Sequence, residues 1–365
     1  MHVLFDARPL QSASRNRGIG RFAMEVLTAL GRRAPELEYT FLHAPDRPQP
    51  RLPKGIDGRW INYVARVPEQ LRGYVDAIVL QRLIGGTSAD LYYSPEWGLP
   101  RASSIPVIVT VHDVIPWVLR HSSYVRQRVR WAMQRRLLPG AARLLCDSNA
   151  TRAALMARVP IDDTRTRVIY PGVGDAFFAA PEPADMTTIQ ARYGKGFALF
   201  VGECDWRKRP EHALAAIAPT ERRLLIVGPN DRHRNRLRRL AAQAGVTDRV
   251  SLAGVVSDRE LLAAYGAASV LLFPSRYEGF GLPLLEAAAV GVPSVAYANS
   301  SIPEVAAEPA RLVPEGDLPK FVAQATAILN GQAPVVDPNL GRTHAREFSW
   351  DRTADQMLSA FREVL

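Results

Sequence analysis

Much that would settle the chemistry at once is missing from this chain. No Asp-x-Asp occurs and the 7 histidines form no metal-ligand spacing, so a bound divalent ion is not indicated. Gly-x-Ser-x-Gly and the phosphate loop ending in Gly-Lys-Ser/Thr are both absent, which removes the hydrolase elbow and the P-loop from consideration. There are 2 cysteines, Cys146 and Cys204, in strand-end contexts without a spacing pattern, as expected of buried free thiols in a reducing compartment. No apolar run approaches the ~18 residues that suggest a membrane span. The opening "MHVLFDA" enters a strand-like run with no basic, apolar and small-residue signal segment, so a cytoplasmic location is expected. Lysine is scarce: only Lys54, Lys195, Lys208 and Lys320 occur among 46 basic residues, so arginine carries almost all of the +10 charge. That balance implies anionic company, whether phosphate-bearing ligands, acidic lipids or nucleic acid.

At 365 residues, the chain exceeds the usual limit of one hydrophobic core, and two domains are the default. Short β-branched runs alternate with amphipathic stretches, in two series. The first has strands at "HVLFDA", "EYTFLHA", "DLYYSP", "PVIVTVHD", "RLLCDS" and "RVIYPG", with helices at Ile19 to Arg33, Tyr124 to Leu138 and Asn149 to Arg158. The second runs through "FALFVG", "RRLLIVGP", "VSLAG", "VLLFPS" and "SVAYA". Alternation of this kind predicts α/β architecture with parallel, doubly wound sheets, here twice. Pro171, Gly172 and Gly174 break the pattern, which places the domains at 1–172 and 173–349, with a last helix in 350–365. Two such domains facing across a cleft would present ligands to the carboxyl ends of their strands.

The unusual residues lie at those strand ends. After "VLLFPS" comes "RYEGFGLPLLEAAAV", in which Gly279 and Gly281 let a ligand approach the main chain and Pro283 suits the first position of a helix. The loop therefore delivers helix amides to an anion. Glu286, four positions after Leu282, falls on the same helical side as that amide end, and a carboxylate there can accept two sugar hydroxyls. Glu278 can do likewise for a second sugar. Two other readings stand beside this one. Glu286 can simply favour the positive helix end while Glu278 is solvated, or the pair can be the acid and base of a glycosidase. The glycosidase explains neither the glycines nor the helix start between them.

"VGECDWRKRPEHALAAI" repeats the architecture, with Arg207 and Lys208 just before a helix near Pro210. Adjacent cations beside a helix N-terminus suit a diphosphate, although a solvated basic turn fits the same residues. "NRGIGRFAMEVL" places Gly18 and Gly20 at a helix start without the third glycine of the dinucleotide fingerprint. His112 and Asp113 close the strand "PVIVTVHD"; Asp113 suits a helix cap, and His112 is the stronger candidate for chemistry.

Together these pieces resemble the retaining, nucleotide-sugar-dependent glycosyltransferases of the GT-B fold, in the large group 1 family that includes bacterial mannosyltransferases. "EGFGLPLLE" is similar to that family's glutamate, seven residues, glutamate signature. "GIGR", "VTVHDVIPW", "CDSNATR", "VIYPGV", "VGECDWRKRP", "SLAGVVSDREL" and "NSSIPEVA" occur in the family's order. The resemblance implies that Glu278 holds donor-sugar hydroxyls and Glu286 the ribose. It gives the sugar and phosphate to the amides of Gly279, Phe280, Gly281 and Leu282, and the diphosphate to Arg207 and Lys208. Val255 and Val256 would face the base, Gly18 and Gly20 would close over the donor, and His112 would stand near its sugar. The last helix would cross back to the first domain. "GECDWRKRP" departs from the commoner "GTLEPRKN" form of its loop.

The enzyme so implied is a retaining hexosyltransferase working without metal or other cofactor, by attack on the face the diphosphate leaves. A GDP-sugar, GDP-mannose first, is the favoured donor, with UDP- and dTDP-sugars as alternatives and a glycan or lipid-linked acceptor. Loss of transfer with an intact fold is expected of Glu278→Ala. A nucleotide-sugar epimerase or a sugar phosphorylase is the enzymatic rival on the same fold. Arg126, Arg128, Arg130, Arg135 and Arg136, interleaved with Val125, Val129, Trp131, Leu137 and Leu138, raise nucleic-acid binding as a rival outside enzymology. The same pattern fits an anionic membrane or lipid-linked acceptor at least as well, which would make the protein peripheral at the inner face. No nucleic-acid partner is expected.

Overall fold

The structure is a computed structural model that describes residues 1–11, 18–64, 69–228, 231–307, 311–334 and 337–365, and leaves out the side chains at 69–74, 126, 129, 130 and 133. The chain divides into two units, Met1–Gly172 with Trp350–Leu365, and Val173–Ser349.

In the first unit the strands are β1 (His2–Asp6), β2 (Glu38–His43), β3 (Arg59–Asn62), β4 (Leu91–Ser94), β5 (Val107–Val111), β6 (Arg143–Cys146) and β7 (Thr166–Val168). They pair in the order β3-β2-β1-β4-β5-β6-β7, every pair parallel. Successive side chains point to opposite sheet faces, and the cores follow that rule. Val3 and Phe5 join Phe22, Leu30, Met357 and Phe361 on one face, while Leu4 joins Leu80, Tyr92 and Val109 on the other. With both faces covered, β5 is buried at all five positions of "VIVTV", as a central parallel strand requires. The helix Trp350–Arg362 belongs to this unit. It lays Trp350 against Phe22 at 5.7 Å and Phe361 against Tyr93 at 5.5 Å. Each side chain of that size contributes roughly 1.5–3 kcal/mol when fully buried.

The second unit contains β8 (Phe197–Val201), β9 (Leu224–Val227), β10 (Val250–Gly254), β11 (Ala268–Phe273), β12 (Ser294–Ala298) and β13 (Leu312–Pro314). Their order is β10-β9-β8-β11-β12-β13, again all parallel. In each sheet the strand order reverses once, between β1 and β4 and between β8 and β11. Both domains are thus Rossmann-like.

Several elements differ from the sequence reading. β3 and β13 are additional: "RWIN" is a half-exposed edge strand and "LVP" is only three residues, so neither shows an apolar run. The helix expected to reach Leu138 stops at Gln134, and a separate 3-10 turn spans Leu138–Gly140. Pro139 has no N–H to donate to the carbonyl four residues back, that of Arg135, and its ring crowds that carbonyl, so the α-helix cannot run through it. β7 begins at Thr166, just before the expected run.

Candidate functional site

Ligands of doubly wound sheets bind at the carboxyl edge where strand order reverses. In the second unit that point lies between β8 and β11, and the two loops that leave these strands carry Arg207, Lys208 and Glu278. The strand ends are first drawn together. Gly202 N donates to Val227 O at 2.9 Å and Gly228 N to Gly254 O at 2.8 Å. Gly228 has φ +140°, and a Cβ there would sit 2.3 Å from Gly202 O, so no other residue fits.

Beyond Gly202, Asp205 Oδ1 accepts from the backbone N of Arg207 and of Lys208, each at 3.0 Å. This side-chain turn fixes the backbone that carries both cations. Arg207 Nη1 donates to Glu278 Oε2 at 3.1 Å and to Tyr277 O at 2.9 Å, while Lys208 Nζ donates to Glu278 Oε1 at 2.5 Å. Lys208 Nζ also lies 4.9 Å from the centre of the Phe273 ring. Glu278 is only 8% exposed. Burial alone would raise its pKa, but Lys208 and Arg207 outweigh that and hold the carboxyl below its ordinary value. Burial, joined by Arg207, pushes the Lys208 ammonium below its ordinary value against the opposing pull of Glu278. The carboxylate is therefore ionised and straddled by two cations.

The glutamate loop is held from behind. Glu278 N donates to Ser300 Oγ at 2.9 Å, and Ser301 Oγ donates to Phe280 O at 2.6 Å and Glu278 O at 3.2 Å. Phe280 is buried beside Phe348, and Gly279 is half-buried. Gly281 takes φ +119° as the cap of the helix Leu282–Val290, which makes Leu282 its first residue and Pro283 its second, one place later than expected. Glu286 lies within the buried stretch of this helix. It is 3% exposed and accepts from Tyr265 Oη at 2.9 Å, because this helix is buried continuously from Leu284 to Ala289. Val255 stands 66% exposed directly after β10, with Val256 half-buried beside it.

In the first unit, His112 comes directly after β5 and is half-buried. Its Nδ1 lies 2.7 Å from Asp147 Oδ2 and its Nε2 2.7 Å from Pro95 O. A neutral imidazole has one N–H and faces two acceptors here, whereas the imidazolium satisfies both. Burial lowers the ring's pKa, but Asp147 and the Pro95 carbonyl overcome it and the net direction is upward. Asp113 Oδ1 accepts from Ile115 N at 2.9 Å, a local turn one residue ahead of Val114, which holds the capping position of the helix Ile115–Val118 in place of the expected Asp113. Gly18, at φ +51°, opens the helix Gly18–Arg33, and Gly20 is buried within it. Asn16 and Arg17 of "NRGIGR" lie outside the described residues, as do the side chains of Arg126, Val129 and Arg130 on the basic helix. Of that helix's partners, Trp131 stacks on Trp97 at 4.3 Å, and Arg135 and Arg136 are exposed just past its end.

The family model for glycosyl transferases group 1 matches residues 184–337, and that for glycosyltransferase family 4 matches 16–177. Both halves of the chain thus match glycosyltransferase models, that of group 1 within the second unit. Among curated relatives, the D-inositol 3-phosphate glycosyltransferase of Mycolicibacterium smegmatis is 26% identical over 80% of this chain and 68% of its own. The O-antigen chain mannosyltransferase B of Escherichia coli is 25% identical over 99% of this chain and 100% of its own. The crystal structure of Anabaena HepE in complex with UDP and glucose matches with a TM-score of 0.75 at 15% identity, covering 100% of both chains. As a glycosyltransferase of GT-B fold, the chain carries its charged cluster on the sheet of the second unit.

Sequence reasoning missed the supporting residues. Asp205 had a readable signal, an Asp two places before an Arg-Lys pair. Ser300 and Ser301 stood in a quoted motif without a role. Asp147 stood likewise in the quoted "CDSNATR", and Tyr265 had no signal, since it acts on a residue distant in sequence.

Among the described residues, no helix is long and apolar enough to cross a membrane.

Proposed function

We propose that this glycosyltransferase moves a hexose from a nucleotide-sugar donor to a glycan or lipid-linked acceptor, with retention at the anomeric carbon. The observation that carries the proposal is the Arg207–Glu278–Lys208 cluster at the reversal of strand order. In the resting site, the Glu278 carboxylate is the anion between two cations. When the donor enters, its diphosphate takes over Arg207 and Lys208, and Glu278 is released to accept sugar hydroxyls. The amides of Gly279 to Leu282 meet sugar and phosphate, Glu286 takes a ribose hydroxyl on the oxygen away from Tyr265, and Val255 and Val256 lie against the base.

Departure of the diphosphate builds negative charge on its bridging oxygen and positive charge on the sugar. Two fixed cations at the first charge lower the barrier without reorganisation. The acceptor oxygen bonds to the anomeric carbon on the face the diphosphate leaves, the carbon–phosphate oxygen bond breaks, and the acceptor's proton passes to that departing oxygen. This charge compensation calls for no divalent ion, so chelation should leave the rate unchanged.

GDP-mannose is the donor we favour, supported by full-length likeness to a mannosyltransferase. UDP-glucose is the second reading, favoured by the likeness to a protein solved with UDP and glucose. A donor panel of GDP-mannose, UDP-glucose and dTDP-glucose, scored by thermal shift and acceptor-dependent release of nucleoside diphosphate, decides between them. Product NMR would give the anomeric configuration. If no donor shifts the melting temperature and none is turned over, the proposal fails.

A further inference from the structure

Among the described residues only two other than glycine have positive φ: Arg209 at +47° and Ser300 at +45°. Such backbone costs on the order of 1–3 kcal/mol per residue and persists where surrounding contacts impose it. Both residues belong to one closed circuit. Arg209 Nη2 donates to Glu315 Oε1 at 2.5 Å, and Asn299 Nδ2 donates to Glu315 Oε2 at 2.5 Å and to Ser275 O at 2.9 Å. Ser300 Oγ donates to Asn299 Oδ1 at 2.9 Å and accepts from Glu278 N at 2.9 Å. Glu278 Oε1 accepts from Lys208 Nζ, and Lys208 precedes Arg209 in the chain. The circuit thereby returns to its start.

Arg209 is a poor choice for stability alone. It is 5% exposed, caps the helix Pro210–Ile217 in a left-handed conformation that Asn or Gly adopts at lower cost, and its Nη1 has no acceptor among the described residues. What the guanidinium adds is the link to Glu315, together with stacking on Tyr297 at 5.2 Å. We propose that Arg209, Glu315 and Asn299 are positioning residues, which hold the Lys208 ammonium and the Glu278 carboxylate in fixed register through this ring. The proposal rests on the nucleotide-sugar reading of the cluster. A shift of about 1 Å in a reacting group costs up to about a hundredfold in rate, and the ring is the device that prevents it.

The test compares Arg209→Asn, which keeps the left-handed backbone, with Glu315→Gln and the double variant. Each single change should lower kcat by roughly tenfold to a hundredfold, with donor KM moved less than about threefold and the melting temperature retained. The double variant should equal the worse single, because both act through one ring. Single variants within about twofold of an active wild type, losses that track unfolding, or losses that multiply in the double would each overturn the proposal. A wild-type chain that binds none of GDP, UDP and dTDP by calorimetry removes the nucleotide-sugar reading itself, and the proposal with it.

Discussion

At the carboxyl edge of the second sheet, β8, β9 and β10 run into Gly202, Gly228 and Gly254, and the main chains there approach to hydrogen-bond distance. The first sheet finishes its central strands with side chains. Asp6, ending β1, takes two hydrogen bonds from the Arg8 guanidinium at 2.8 and 2.7 Å, one from the Arg8 backbone N at 3.2 Å and one from Tyr92 Oη at 3.1 Å. Ser94, ending β4, donates to Glu96 O at 2.6 Å, and His112, just past β5, is bound on both ring nitrogens. The first edge is filled with charges already matched to one another. The second brings glycine main chains into contact and concentrates its charges in one cluster. Glycine main chain, more than the presence of charge, therefore distinguishes the second edge, and it suits the phosphorylated ligand proposed for it, which needs close approach to the backbone.

The largest effect should come from the cluster itself. Glu278→Gln is expected to reduce transfer by at least about a thousandfold, while binding of GDP or UDP tightens because Arg207 and Lys208 no longer have an internal anion. Kinetics and calorimetry on one preparation check both, and weaker nucleotide binding would end the idea of the carboxylate as a placeholder. The glutamine is preferable to Glu278→Ala, which leaves Lys208 buried without a carboxylate or its amide, at a cost of about 3–5 kcal/mol.

Next come the glycines that distinguish the edges. Gly228→Ala drives a Cβ into the backbone of Gly202 at a φ closed to alanine, and should destabilise by about 3 kcal/mol or more. Gly98→Ala in the first unit meets only side-chain oxygens, of Asp6, Ser94 and Tyr92, each at 2.8 Å, and should cost roughly 1–2 kcal/mol as they give way. Urea unfolding of both variants measures the difference; equal losses would dissolve the distinction between backbone-built and side-chain-built edges.

The effect furthest from the cluster concerns pH. Because the His112 pKa is raised in the folded protein, its pairing with Asp147 stabilises fully below the ordinary imidazole value and fades as pH rises through the raised one. Asp147→Asn should cost about 1.5–3 kcal/mol in acid and less in alkali. A wild-type-minus-variant gap in unfolding free energy that stays constant with pH would mean the ring does not titrate there.

The architecture was legible because parallel strands buried on both faces read as continuous apolar runs, as in "VIVTV" and "LLIV". β3 escaped because its side chains are half in solvent. Glu278, Arg207 and Lys208 were legible one at a time, as odd residues at strand ends, but their meeting spans 70 residues of sequence and is a product of the sheet order. The partner of Glu286 was illegible for a related reason. Helical spacing gives the face a residue occupies, but not that Tyr265 from another helix waits on that face. The ring through Glu315 left no trace at all, since a glutamate before Gly316 reads as a turn.

The helix Trp350–Arg362 completes a core whose other members were synthesised first. A ribosome that has delivered everything through Ser349 has yet to supply the rings of Trp350 and Phe361 that cover Phe22 and Tyr93. The order of translation and the order of assembly thus differ: the lobe that emerges first is sealed by a segment synthesised after the whole of the second.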